Sequence, residues 1–574
     1  MNNISLLKGY ESTHLIHYDD LSELNDQIVD FEELPKFDSP GVLKYSSRDQ
    51  DGRLKQIYTK HGAHVGCVAG TRLGKTTSLT IPYILSFAKQ KRKKSMIISD
   101  PKGEVFSKTS GLLRNEGYSV LLLNLRDPLH SEFWNPLTPI YRKYMNAFKI
   151  HDEVKIVKNG AKILYKLRGY VYKNRAELDS IINKIIAITL DDVSDDIENL
   201  CRMAIDIQDT HEPYWENTAR LVLQAFLWAM LEDSCEAPRN SSKKNKWPLI
   251  TEETFSFRTI FTILASFRNH SINLEDGGYF TCRNKTSRAY ILAKDNFLDQ
   301  ATSTRQNILC MFNTKMAPFR ESTVKLITSC NSFDFSSLIE KPTAIFIDYK
   351  DEIESHYHVI SLFIQDCYRY LIDFATEQKN GALDVPCYFI LDEFGNFPKI
   401  ENFKTLISAS AGRQVFFILI MQSFAQLNEV YGNNTAEIIR DNLNVQIMLG
   451  SNNHGTLEEF SKSCGEYTRF SPLSALNGSG SEIEQYQIET IRRIPKSMLS
   501  HFEAGECVVT EANSGYIMWS KLERYYLCPE FCVSETDDTK KYLSGLNPFD
   551  EKYSYTMINN EETKNNTDDD DVIW

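Results

Sequence analysis

The sequence predicts an α/β fold, a parallel sheet covered on both faces and interrupted by an all-α domain. Three features carry that expectation. Short apolar runs alternate with helix-like stretches in residues 61–140. The alternation stops near residue 141 and resumes near residue 336. Two of the runs end on residues suited to holding phosphate and a cation. In order, residues 63–69 read as a short apolar strand, 75–88 as a helix, 95–99 (SMIIS) as a second strand and 118–123 (YSVLLL) as a third. Unbroken rather than alternating hydrophobicity marks strands buried on both faces. In residues 141–335 apolar side chains recur at helical spacing, as in 215–231 (WENTARLVLQAFLWAML), and strands are hard to find. The strand pattern returns at 344–347 (AIFI), 387–391 (CYFIL), 415–421 (VFFILIM) and 445–449.

The chain has 574 residues, 42% hydrophobic and 25% charged, which suits a large buried core. Its formal net charge of −13 argues against a protein that coats nucleic acid with its whole surface, because such binding needs many cation–phosphate contacts. A narrow basic channel remains compatible with it. The twelve cysteines form no CxxC pair and are expected as free thiols in a reducing cytoplasm. The twelve histidines form no HExxH cluster, so no zinc site is expected. The first residues lack the apolar core of a signal peptide. No apolar run approaches the ~20 residues of a bilayer span, and the chain is expected to be soluble.

The first chemical motif is Ala69-Gly70-Thr71-Arg72-Leu73-Gly74-Lys75-Thr76, a phosphate-binding loop with Ala in place of the first Gly. Such a loop points backbone N–H groups at phosphate oxygens, and the helix that follows adds its positive dipole end. Lys75 can reach the terminal phosphates of ATP, and the Thr76 hydroxyl can ligate Mg²⁺. Gly70 through Thr77 therefore form the candidate nucleotide-binding segment, in a RecA-like P-loop NTPase fold. Pro82 interrupts the helix that follows. The second motif is Tyr388-Phe-Ile-Leu391-Asp392-Glu393, a buried strand delivering two acids at its C-terminal edge. Asp392 is the candidate Mg²⁺ ligand and Glu393 the candidate base for the attacking water; taken alone, a strand ending in two exposed acids is also an ordinary feature.

Other positions read two ways. Gln422 is either a γ-phosphate sensor or a polar strand cap. Arg413 is either an arginine finger for a neighbouring subunit's nucleotide or a surface arginine. Asp100-Pro-Lys-Gly-Glu104 sits at the same sheet edge or is a plain turn. Lys89-Gln-Lys-Arg-Lys-Lys94 is a solvated helix end or a nucleic-acid contact. The expected organisation is an irregular N-terminal arm at 1–60, a nucleotide-binding domain in two parts (61–140 and 336–535), the all-α domain at 141–335, and an acidic, disordered tail at 536–574.

Together these motifs resemble the type IV secretion coupling proteins, the TraG-like or VirD-type conjugative ATPases. Gly70–Thr77 followed by Ile81-Pro82 is similar to their phosphate loop and helix, and Asp100–Glu104 to their DPKGE segment. Trp134-Asn-Pro-Leu137 is similar to their WNPL turn, and Glu212-Pro-Tyr-Trp215 to part of their all-α domain. Leu391–Phe394 and Met421–Gln426 are similar to their second acidic and glutamine motifs. The resemblance covers residues 61–526. It implies a homo-hexameric, ATP-hydrolysing, Mg²⁺-dependent motor that recruits a relaxase–DNA complex and powers its transfer into a type IV secretion channel. Members usually begin with two transmembrane helices, whereas no such run occurs here. The expectation is a cytoplasmic protein recruited peripherally to the inner face of the membrane, by the channel or by a small membrane anchor protein. The alternatives are an FtsK/HerA-like duplex DNA pump and a nucleotide-stabilised cargo receptor without turnover.

Overall fold

The computed structural model describes residues 14–17, 28–38, 41–159, 162–207, 212–235, 249–269, 278–397, 399–476, 482–512, 514, 516–531 and 542–554. The chain divides into two compact units, Met1–Glu132 with Phe333–Ser544, and Phe133–Ser332 with Gly545–Trp574.

The first unit is built on a ten-stranded sheet. In chain order its strands are β1 (His14–His17), β5 (Val65–Ala69), β6 (Ser95–Asp100), β7 (Ser119–Asn124), β11 (Thr343–Asp348), β12 (Cys387–Leu391), β13 (Val415–Met421), β14 (Val445–Gly450), β17 (Glu506–Glu511) and β18 (Tyr516–Lys521). They lie in the order β1-β18-β17-β14-β5-β13-β12-β6-β11-β7. From β14 to β7 every pairing is parallel, while β17 runs antiparallel to both β14 and β18. The central strands β5, β6, β11, β12 and β13 are buried along their whole length, as unbroken apolar runs require in a sheet covered on both faces. Aromatic side chains stack across neighbouring strands, Tyr388 on Phe416 and Phe389 on Phe417.

The sequence is misleading in the region read as an irregular arm. β2 (Ile28–Asp30), β3 (Leu43–Arg48) and β4 (Leu54–Tyr58) make a small antiparallel sheet, order β2-β4-β3, whose Leu43, Tyr45, Leu54, Ile57 and Tyr58 join the same core. Its polar residues hid it. Lys44 is fully buried because its amine is held by Glu511 and Tyr516, each at 2.6 Å. Ser46 accepts from Gln56, which also donates to Ser86. Buried polar groups satisfied in this way carry no hydropathy signal. The helix after the phosphate loop begins as a π-helical turn, Lys75–Thr80, and continues as an α-helix, Ile81–Lys89. Pro82 lies just beyond the π-helical turn, inside a continuous helix, where its missing N–H removes one intrahelical bond.

The second unit is mainly helical. Its longest helices are Arg175–Ala204 and Tyr214–Glu232, the latter fully apolar on its buried side from Val222 to Leu231. Buried ion pairs knit it, Arg283 with Asp233 at 2.7 Å and Lys315 with Glu216 at 2.6 Å. Asn135 of the WNPL segment holds the unit's two ends together. Its side chain donates to the Phe255 carbonyl at 2.8 Å, and its N–H donates to Asn331 at 2.7 Å. The unit is not all helix: β8 (Lys155–Asn159), β9 (Lys162–Leu167) and β10 (Tyr170–Tyr172) form an antiparallel ribbon with β9 in the middle. Part of the segment read as a disordered tail is also structured. Tyr542 donates to Glu132 at 2.5 Å in the first unit, and Tyr553 packs on Phe133 and Cys330 in the second. Residues 536–541 and 555–574 of that segment, and residues 1–13, 18–27 and 39–40 of the arm, lie outside the described residues. Among the described residues no helix is long and apolar enough to cross a membrane.

Gly505 closes the turn into β17 with φ +86°, and a Cβ there would lie 2.7 Å from the Leu522 carbonyl oxygen. Gly505→Ala is expected to destabilise the first unit by at least about 1–3 kcal/mol, the usual cost of a left-handed non-glycine residue. A urea titration in which the variant unfolds at the wild-type midpoint would contradict this.

Candidate active site

Strand register gathers the site. Ile418 of β13 pairs with Val65 of β5 and Met421 with Val68, which puts Gln422 level with Ala69 at the start of the phosphate loop. Leu391 of β12 pairs with Leu419, so Glu393 falls level with Met421. Ile390 pairs with Ile98 of β6, so Asp392 falls level with Asp100, and Asp348 pairs directly with Asp100. The C-terminal edge of the sheet thus presents Lys75, Gln422, Glu393, Asp392, Asp100 and Asp348 on successive strands. This is the edge at which open parallel sheets bind ligands.

The loop's backbone is set by two left-handed residues, Arg72 (φ 66°) and Gly74 (φ 91°). The Gly70 N–H donates to the Gly450 carbonyl at 2.9 Å, anchoring the loop to the end of β14. Gly450 has φ 122° and its Cβ position lies 2.9 Å from the Leu73 side chain, so only glycine permits this approach. Leu73 donates back to Gly70 at 3.3 Å and Ser78 to Gly74 at 2.7 Å. The N–H groups of Lys75, Thr76 and Thr77 stand at the helix start, where backbone donors have no intrahelical partner. Thr71, Arg72 and Leu73 are exposed, and Gly74 through Thr77 are half-buried. The Thr77 hydroxyl leans on the Gly74 carbonyl at 3.4 Å.

Lys75 donates to Glu393 Oε1 at 2.5 Å, and Gln422 Nε2 donates to Glu393 Oε2 at 3.1 Å. Glu393 adopts φ 54°, a conformation that costs a non-glycine residue energy and turns its side chain back toward the loop. Two contacts hold it there. Its N–H donates to Asp392 Oδ1 at 2.9 Å. The Ser99 hydroxyl accepts from the Asp392 N–H at 2.7 Å and donates to the Asp392 carbonyl at 3.1 Å, a side-chain clamp across β6 and β12. Gln426 accepts from the Gln422 N–H at 3.1 Å, and a Cβ on Gly395 would strike the Gln426 side chain at 2.7–2.8 Å. Burial pushes the Asp392 carboxyl up to about 6; nearby Lys75 pulls it back and Glu393 adds to the rise.

Asp100 and Asp348 form a second group on this edge. Asp100 Oδ2 accepts from the Phe106 N–H at 2.8 Å, at the start of the helix Glu104–Asn115. Its Oδ1 is buried without a hydrogen-bond partner, and burial, reinforced by Asp348, pushes this carboxyl up to about 7. Arg126 donates to Asp348 at 2.8 Å, to the Tyr349 carbonyl at 2.6 Å and to the Pro101 carbonyl. Burial still raises Asp348 to about 6. A Cβ on Gly103 (φ 69°) would meet Asp348 Oδ2 at 2.8 Å, which explains the glycine of the Asp100–Glu104 segment.

Of the positions read from sequence, the structure brings Gly70–Thr77, Asp392, Glu393 and Gln422 together. Arg413 stands apart. It precedes β13, at the opposite end of the strand from Gln422, and its guanidinium donates to the Ala409 carbonyl at 2.8 Å. The basic run is largely occupied: Lys89 and Lys93 both bind Glu116, and Lys94 is buried with Gln90 over the Phe87 ring. Sequence reasoning missed Ser99, Gly450 and Arg126 as site residues. A glycine ending an apolar strand was the one available signal, for Gly450. Among the described residues no cluster of three or more His, Cys, Asp or Glu forms a metal cage.

Residues 36–472 match the profile of a family described as type IV secretory system conjugative DNA transfer. The conjugal transfer protein TraG of Escherichia coli is 22% identical over 444 residues, which cover 75% of this chain and 59% of that relative. The chain therefore spans less than two thirds of TraG. Protein VirD4 of Agrobacterium fabrum is 27% identical over 146 residues, 25% of this chain and 21% of that relative. Among solved structures, the unbound bacterial conjugative coupling protein TrwBdeltaN70 matches with a TM-score of 0.54 at 14% identity, covering 91% of this chain and 94% of its own. The plasmid coupling protein TrwB in complex with ADP and Mg²⁺ matches with a TM-score of 0.51 at 14% identity, covering 87% and 93%. Both establish a shared fold.

The buried acids generate a pH expectation. Asp100 has a folded pKa near 7 against an ordinary 3.8, so the folded state binds the proton more tightly than the unfolded chain. Stability from this group is present below about pH 4 and is lost as pH rises toward 7. Asp100→Asn removes the charge, so the variant's stability relative to wild type should grow between pH 4 and 7. The rise to about 7 caps that gain at about 4 kcal/mol. Urea titrations at several pH values measure it, and a difference that stays flat across the window would contradict the burial argument.

Proposed function

Because the chain belongs to the type IV secretory system conjugative DNA transfer family, we propose that it is an ATP-hydrolysing coupling protein that delivers relaxase–DNA cargo to a secretion channel. The observation that supports turnover is the Lys75–Glu393–Gln422 triad beside buried Asp392, assembled on one sheet edge from three strands. In this reading the ion pair is a resting arrangement. Lys75 leaves Glu393 for the terminal phosphates, a stronger anionic partner, and frees the Glu393 carboxylate to accept a proton from the attacking water. Gln422, already 3.1 Å from Glu393, orients that water.

The residues fit magnesium: Thr76 offers a hydroxyl and Asp392 a carboxylate, hard oxygen donors of the kind this ion takes, and Asp392 is buried beside a lysine that favours its ionised form. When bound, the ion supplies charge neutralisation at the phosphates. Arg413 has no place in the same-subunit site under this reading and is available only to a nucleotide held by another copy, as in a hexamer. Recruitment to the inner face of the membrane, through the channel or a small anchor protein, completes the proposal.

Lys75→Ala is expected to abolish tight ATP binding in a calorimetric titration, because it removes the amine that reaches the terminal phosphates. Unchanged affinity would remove the phosphate-loop assignment. Glu393→Gln should keep ATP binding and lose turnover by roughly 10²–10⁴-fold. A steady-state assay with and without DNA reads this; hydrolysis at the wild-type rate would assign the water to another group.

A further inference from the structure

The antiparallel ribbon β8–β10 of the second unit serves neither the nucleotide site nor the core of the sheet. Residues 155–173 carry six cations, Lys155, Lys158, Lys162, Lys166, Arg168 and Lys173, and no carboxylate, within a chain whose net charge is −13. One face of the ribbon is accounted for. Tyr165, Leu167 and Tyr172 pack with Leu178, Ile182, Ile185 and Ile186 of the helix Arg175–Ala204. The other face is open. There Lys155 of β8 lies directly opposite Lys166 of β9, and Lys166 in turn opposite Val171 of β10. Both lysines are exposed, and neither amine has a carboxylate partner among the described residues. Val171 and Val157 are 57% and 44% exposed on this side.

Like charges directly across a strand pair destabilise a sheet. Two neighbouring arginines are already paired, Arg168 with Glu153 at 2.8 Å and Arg175 with Asp179 at 2.9 Å. The uncompensated pair spans β8 and β9, with Lys166 on the middle strand. An anionic polymer relieves that repulsion along its length. A bilayer suits it less, because immersing the flanking valines would carry the central Lys166 toward hydrocarbon. We propose that the open face of the β8–β10 ribbon is a nucleic-acid contact, with Lys155 and Lys166 on the phosphate backbone. Two opposed lysines on an exposed strand pair match the phosphates of either a single strand or a duplex. The contact goes beyond the nucleotide site and requires no nucleotide.

The test is fluorescence anisotropy of a labelled oligonucleotide, single-stranded and duplex, titrated with the full chain in the absence of ATP over a range of salt. The comparison is with Lys155→Gln/Lys166→Gln. The double variant should bind more weakly, and its slope of log affinity against log salt should shrink by about 1.4 on a single strand or about 1.8 on a duplex. Its circular dichroism and ATP turnover without DNA should match wild type, since both lysines are exposed and remote in sequence from the loop. Lys75→Ala should bind the oligonucleotide as wild type does, which keeps this outcome separate from that of the ATPase proposal. An unchanged salt slope in the double variant, or no oligonucleotide binding by the intact chain, overturns the proposal. So does loss of flotation with phosphatidylglycerol vesicles at unchanged oligonucleotide affinity, which would make the ribbon a lipid contact.

Discussion

In-register parallel pairing of β5, β13, β12 and β6 is the constraint on which the site depends. Each strand is buried on both faces, so slipping by one residue would turn every side chain over and is not tolerated. Once Ile418 is opposite Val65 and Leu391 opposite Leu419, the strands end at fixed relative levels. The residue after each end is then committed to the same edge. Lys75 arrives there one loop beyond β5, Gln422 one residue beyond β13, and Asp392 and Glu393 directly beyond β12. Packing of apolar side chains, far from any ligand, thereby sets distances of a few ångströms between charged ones.

That edge is electrostatically expensive. Asp392, Asp100 and Asp348 are buried, and desolvation raises all three carboxyls. Lys75 and Arg126 recover part of the cost, one beside each half of the row. The Asp100 oxygen left without a partner shows that recovery is incomplete. Stored strain adds to it: Glu393 is held in a left-handed conformation by the Ser99 clamp and by its own N–H on Asp392. Such costs are tolerated where neighbouring structure over-determines the geometry, and here the neighbouring structure is the most deeply buried part of the sheet.

The central strands and both acidic and glycine-rich motifs were legible because each combines a strong local pattern with a distinctive residue type. The small sheet formed by residues 28–58 was not, since Lys44, Ser46 and Gln56 are buried by pairing with groups hundreds of positions away or on other strands. The ribbon in the helical unit carried a signal that went unread. Asn159-Gly160 is a hairpin dipeptide, and Arg168-Gly169 both take positive φ, as a two-residue hairpin turn requires. Regularly spaced lysines among apolar residues masked the period of two. The clamp by Ser99 could not have been read, because a serine in an apolar strand is silent until its cross-strand partner is known.

What the sequence determined alone was local: which segments are strands buried on both faces, where a loop can cradle phosphate, and which acids terminate a strand. These follow from residue type and spacing within a dozen positions. What the tertiary structure decided was the company each residue keeps. It put Gln422 on Glu393, separated Arg413 from both by the length of β13, occupied the basic run with Glu116, and left the lysines of the ribbon uncompensated. The physical reason is that a strand pairs through its backbone, which every sequence shares. The choice and register of partner are therefore settled only when all the apolar faces are buried at once.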